Sequence, residues 1–212
     1  MSKLRLTGST SGFTELTAPA VAGSNTLTLP TGNGTAGQFL QTNGSGALSW
    51  ATVSAASWTD GVSTSASGSS AVTFTGIPST AKQIILTVNA LSADSSNGEQ
   101  LIKLGSSSGL VSSDYVCVGA YYGASTSGLN YTTDLRFRGT GAGSYVFYGQ
   151  TIITKHSGNV WSVAGWIVDS AAGIVFGTFG NLDVGATLDR VSHGLTTGNF
   201  DGGTVNLHYI SQ

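Results

Sequence analysis

The sequence predicts an all-β protein: an extended N-terminal arm, residues 1–57, followed by an antiparallel, jelly-roll-like β-sandwich head, residues 58–212. Gly, Ser and Thr supply roughly two-fifths of the 212 residues, well above ordinary usage. Val, Ile, Tyr, Phe and Trp recur in short bursts of period-two alternation, the mark of half-buried strands. No stretch carries the 3.6-residue apolar stripe of a helix or a heptad repeat.

The arm comes first. Its stretch "LTLPTGNGTAGQFLQTNGSGALSW" (Leu27–Trp50) spaces Leu27, Leu29, Phe39, Leu40, Leu48 and Trp50 between regularly placed glycines. Such spacing suits very short strands and turns. Bulky apolar residues make up about a fifth of the arm and about a third of the head, and ordering a residue costs roughly 1.5 kcal/mol. An arm this lean is disordered, lies on the head or shares a core with other chains, and its regular spacing favours sharing, much as one solenoid repeat is completed by its neighbours. The simplest closed assembly is a cyclic trimer, although these residues alone do not separate trimer from dimer.

In the head, "KQIILTVNAL" places Ile84, Leu86, Val88 and Ala90 on one strand face. "SYVFYGQTIITK" alternates Tyr145 and Phe147 with Val146 and Tyr148, then continues through Ile152 and Ile153. "NVWSVAGWIVDS" sets Trp161, Val163 and Ile167 against Ser162, Ala164, Trp166 and Val168, and "GTVNLHYISQ" sets Val205, Leu207 and Tyr209 against Asn206, His208 and Ile210. Further strands are expected at Leu101–Leu104, Tyr115–Tyr121, Tyr131–Phe137, Gly173–Phe179 and Thr187–His193. Turns are expected at "GSSSG", "GTGAGS", "HSGN" and "TTGNFDGG". About eight to ten strands in a domain of this size suit a sandwich.

Charged residues are 8% of the chain and the net charge is −2. Eight scattered Lys and Arg cannot form the basic stripe that nucleic acid demands. The longest aliphatic runs, such as Ile84-Ile85-Leu86, are too short to span a bilayer, so no membrane insertion is expected. "MSKLRLTGST" has no apolar run behind its basic residues, so no signal peptide is expected. The lone Cys117 reads as a small buried hydrophobe and has no partner for an intrachain disulfide.

The arm segment "ELTAPAVAGSNTLTLPTGNGTAGQFLQTNGSGALSWA" (Glu15–Ala51) is similar to a segment of many bacteriophage tail-fibre and virion-fibre proteins. "SGNVWSVAG" (Ser157–Gly165) and "LDRVSHGLTTGNFDGGTVNLHYI" (Leu188–Ile210) resemble parts of the small β-sandwich heads on such fibres. The resemblance implies a homotrimeric virion structural protein with an attachment arm and a sandwich head. Tail fibres, short spikes and capsid-surface fibres or decorations all carry such modules.

Other chemistry can be read into the chain. Gly32, Gly34 and Gly37 form a literal G-x-G-x-x-G, with Asp60 beyond it. A dinucleotide fingerprint needs a helix to follow, and "QFLQTNGSG" is not one, so turn glycines are the better reading. Asp169, Asp183, Asp189 and Asp201, with Glu99 and Asp134, could pair as glycosidase acids. Strand ends and turns are where Asp caps backbone, so no enzyme is expected. His156, His193 and His208 lack short ligand spacing. His208 is the one that threefold symmetry could gather, but a solvated or hydrogen-bonded strand His is the stronger reading, and no metal or cofactor is expected. In "GAYYGASTSGLNYTTD", Tyr121, Tyr122, Asn130 and Tyr131 combine aromatic faces with polar groups suited to a sugar or a wetted interface.

The functional expectation is a non-enzymatic virion protein: a short trimeric tail fibre whose head meets a host-surface receptor, a glycan being one candidate. The alternative is a capsid decoration or head fibre held to the major capsid protein by its arm. Either is assembled in the host cytoplasm with other virion proteins as partners.

Overall fold

The computed structural model describes residues 3–53, 56–61, 63–94, 98–123, 126–137, 145–170 and 172–211. No helix occurs among them. The chain divides into two compact units, Met1–Ala55 and Ala56–Gln212.

The first unit holds two separate hairpins. Strand β1 (Lys3–Thr7) pairs antiparallel with β2 (Phe13–Thr17), and β3 (Gln38–Thr42) pairs with β4 (Leu48–Thr52). In the first hairpin Glu15 accepts from Lys3 Nζ at 2.9 Å and also pairs with Arg5, whose guanidinium lies 4.0 Å above the Phe13 ring. In the second, the Asn43 carboxamide oxygen accepts from Ser45 N and Ala47 N, closing an Asx turn. Gly46 in that turn has φ +89°, and a Cβ there would collide with the Thr26 carbonyl oxygen. Only glycine fits. No described residue between 3 and 53 is buried.

The second unit is built from two antiparallel sheets. Its strands are β5 (Ser57–Asp60), β6 (Thr64–Ser65), β7 (Ala71–Thr75), β8 (Ala81–Ala93), β9 (Gln100–Ser106), β10 (Gly109–Leu110) and β11 (Val116–Tyr122). They continue as β12 (Thr126–Tyr131), β13 (Leu135–Arg136), β14 (Phe147–Lys155), β15 (Val160–Asp169), β16 (Ile174–Asp183), β17 (Arg190–Leu195) and β18 (Phe200–Ser211). The large sheet runs β12-β11-β16-β15-β14-β8-β18-β5, with β6 also on β18; the small one runs β10-β9-β17-β7, with β13 also on β9. One apolar core joins them: Ile84, Leu86, Phe147 and Phe176 from the large sheet meet Ile102, Leu104 and Val191 from the small one. This is a sandwich-like all-β fold.

The expected alternation of β15 and β18 holds: Trp161, Val163, Ile167, Val205 and Leu207 are all buried. Three details differ. Ala90 does not continue the inward row of Ile84, Leu86 and Val88. It takes φ +51°, and Asn89 with Ala90 stands opposite the single residue Tyr148, so Leu91 and Ala93 become the inward residues. This is a β-bulge, and Gly203 accommodates it: a Cβ there would collide with the Ala90 carbonyl oxygen. The strand expected at Tyr131–Phe137 is split, because Thr132, Thr133 and Asp134 bend the chain from β12 in one sheet to β13 in the other. Lastly, the unit has fourteen strands among the described residues instead of eight to ten. The surplus includes two-residue pieces (β6, β10 and β13) too short to show a period. The "GTGAGS" turn, 139–144, lies outside the described residues.

Candidate functional site

The aromatic stretch singled out in the sequence forms the β11–β12 hairpin at one margin of the large sheet. Pairing of Val118 with Asn130, and of Cys117 with Tyr131, sorts its candidates onto two faces. Tyr121 and Tyr131 are half-buried and packed on the core. The Tyr121 ring meets Phe176 edge-on at 5.6 Å. The Tyr131 ring lies 4.7 Å beneath the Arg136 guanidinium, which donates to both carboxylate oxygens of Asp134 at 2.9 and 2.7 Å. That fork raises the Arg136 pKa further. Tyr122 and Asn130 remain exposed on the outer face. The four residues do not converge on one ligand.

On that outer face Tyr122 has other company. The cross-strand register places Val118, Phe179, Ala164, Ile152, Ile85 and His208 in one row across β11, β16, β15, β14, β8 and β18. A second row runs Tyr122, Val175, Val168, Tyr148. Between them Gly177 sits opposite Trp166. A Cβ at Gly177 would lie 2.7 Å from Phe179 Cε2 and 3.4 Å from Tyr122 Cε2, so both rings fold over the glycine and form a flat apolar floor. The hairpin aromatics alone did not reveal this surface. A signal was present: in "VWSVAGWIVD" three of the outward residues Ser162, Ala164, Trp166 and Val168 are apolar, whereas a solvated antiparallel face is normally polar.

The carboxylates are engaged one by one. Asp169 is fully buried and accepts from Ala172 N at 2.9 Å and Val146 N at 3.3 Å. Asp183 accepts from Gly185 N at 2.9 Å, Asp189 pairs with Arg190 at 3.1 Å, Asp201 accepts from Ser92 Oγ, and Glu99 stands 3.6 Å from Arg136. His208 Nδ1 is 2.9 Å from Asp60, and its Nε2 is 3.0 Å from Asn206 Nδ2. His193, in β17, is fully buried against the Phe137 and Phe200 rings. Its Nε2 is 2.7 Å from Gln100 Oε1, Nδ1 has no partner, and burial lowers its pKa to about 3. Among the described residues no three His, Cys, Asp or Glu side chains gather to hold a metal ion. Cys117 is buried, with its thiol pKa pushed up by that burial.

In the first unit, Leu27, Leu29, Phe39 and Leu40 are exposed, and Leu48 and Trp50 are half-buried. Trp50 lies on Gly34, where a Cβ would come within 2.6 Å of its ring, and its Nε1 donates to the Gly32 carbonyl at 2.6 Å. Gly32 and Gly34 of the triplet therefore seat an indole, while Gly37 does not touch it. Directly after Gly37 the chain enters strand β3, with no helix N-terminus for a phosphate. Compared with models of known protein families and with curated proteins, the chain matches none of them.

Proposed function

We propose that this chain is a non-enzymatic structural protein of a bacteriophage virion. In this reading it is a short homotrimeric tail fibre whose N-terminal unit assembles and attaches it, and whose jelly-roll-like head meets a host-surface receptor. One observation carries the reading: the hairpins of residues 3–53 bury no side chain, yet they present Leu4, Leu6, Phe13, Leu16, Phe39 and Leu40 to solvent. An ordered stretch too lean in apolar side chains to bury any of them is completed by neighbouring chains or by a viral scaffold.

Light scattering of the purified full-length chain at micromolar concentration is expected to give the mass of a trimer, and a monomer overturns the reading. Copy number in purified particles then separates the two locations. A number matching the few sites of a tail supports the fibre. A number scaling with the capsid subunits supports a decoration laced to the capsid by the same unit.

A further inference from the structure

We propose that the outer face of the large sheet, β12-β11-β16-β15-β14-β8-β18-β5, is a contact surface for further copies of this same chain. The face is unusually bare. Val116 is 64% exposed, Trp58 51% and Tyr122 47%, with Val118, Tyr148, Phe179 and Trp166 close behind. All seven lie on the same side of the sheet, as their pairings with Asn181, Ile210, Val175, Phe179, Val168, Ala164 and Gly177 require. An apolar patch of this extent marks an interface in a water-soluble fold.

Three features point to another copy as the occupant. The first is charge. The outward-facing strand residues include no Lys, Arg or Glu among those described, and the carboxylates Asp60, Asp183 and Asp201 are each held by a neighbour. Asp60 is held by His208 and Asp183 caps Gly185 N. A copy turned against it buries no like-charge pair. The absence of Lys and Arg also removes the handle that nucleic acid or an anionic lipid surface needs.

The second is desolvation. Two polar pairs on the face already bond within the chain: Gln83 Nε2 donates to Thr154 Oγ1 at 3.2 Å, and Asn206 Nδ2 bonds His208 Nε2 at 3.0 Å, although Asn206 Oδ1 is buried without a partner. Covering them with an apolar partner strips few unmet hydrogen bonds. The third is size. Eight strands spaced by about 4.8 Å, each with some seven residues rising about 3.3 Å, give a face on the order of 900 Å². A stable interface takes roughly 800 Å² from each partner. Three sheets turned toward one axis, or two packed face to face about 10 Å apart, would close it.

The test uses the full-length chain. Hydroxyl-radical footprinting is run across a concentration series, with light scattering on the same samples. Tyr122, Tyr148, Trp166 and Phe179 are expected to oxidise about tenfold more slowly in the assembled species than after dissociation by dilution. Leu110, exposed on the small sheet, is expected not to change. Val118→Lys combined with Phe179→Lys is expected to move the association midpoint to at least about tenfold higher concentration. Leu110→Lys is expected to leave it in place.

An assembled species in which the face stays reactive overturns the proposal and points to a foreign partner. Protection in a species of monomer mass also overturns it, since the chain then covers the face itself. If the double variant fails to fold, the wild-type footprint still decides. Assembly through the first unit alone leaves this face reactive within a trimer. Failure of this inference is thus distinguishable from failure of the proposed trimer.

Discussion

Trp50 and Trp161 each stand in a β-strand close to glycines and hydroxyl residues, yet their surroundings differ completely. Trp50 rests half-buried on Gly34, in a unit where no described residue is buried. Trp161 is 2% exposed in a core that two sheets build from more than two dozen side chains. The local chemistry of turn glycines and strand pairs is shared by both units. The supply of inward side chains is not. A hairpin pair has only one layer, and a two-stranded ribbon is at best marginally stable by itself. Strand content therefore says little about self-sufficiency; the second layer decides it.

The largest effect is expected at Phe176, whose ring meets Tyr121, Tyr145 and Phe147 at centroid distances of 5.6, 6.0 and 5.7 Å. Phe176→Ala is expected to cost the second unit about 3–5 kcal/mol in denaturant unfolding. Trp50→Ala is expected to leave that transition unmoved while weakening assembly in light scattering. A second-unit transition that shifts with Trp50→Ala would mean that the two units share stability.

A smaller effect belongs to His193. Its imidazole stays neutral in the folded state down to about pH 3, whereas an unfolded chain protonates it below about 6.5. Its contribution is therefore fully present above pH 6.5 and is lost as pH falls toward 3. The thermal midpoint of the second unit should drop over that window, and His193→Gln should flatten the slope.

The smallest effect is expected in the first hairpin. The partners of Glu15, Lys3 and Arg5, are largely exposed. Glu15→Gln should therefore change the stability of the assembled state by less than about 1 kcal/mol, and less again at high salt. A larger loss would mean that the pair is desolvated on assembly.

Much of the second unit was legible in its residues because one face of each long strand had to be buried. Trp161, Val163 and Ile167 kept strict alternation, and the sheet obeyed. Ala90 broke the pattern because a bulge is set by the opposing strand, here by Gly203, and no local period records it. His193 was opaque for a similar reason: its neighbours Phe137 and Gln100 come from distant parts of the chain, and Phe200 reaches it only across the turn between β17 and β18. The candidate contact residues were partly legible. Tyr122 and Asn130 do face outward, but Tyr121 and Tyr131 were claimed by the core through strand parity, which the turn-like "ASTSG" between them does not encode.

The placement of β18 has a consequence for how the molecule is made. This strand, Phe200–Ser211, lies between β8 and β5 and also takes β6. On a ribosome, β5, β6 and β8 emerge long before the strand that joins them, so the large sheet cannot close until Phe200–Ser211 has left the exit tunnel. Pairings this distant in sequence make folding slow. Throughout that wait the nascent chain holds open sheet edges, which are templates for pairing with another polypeptide.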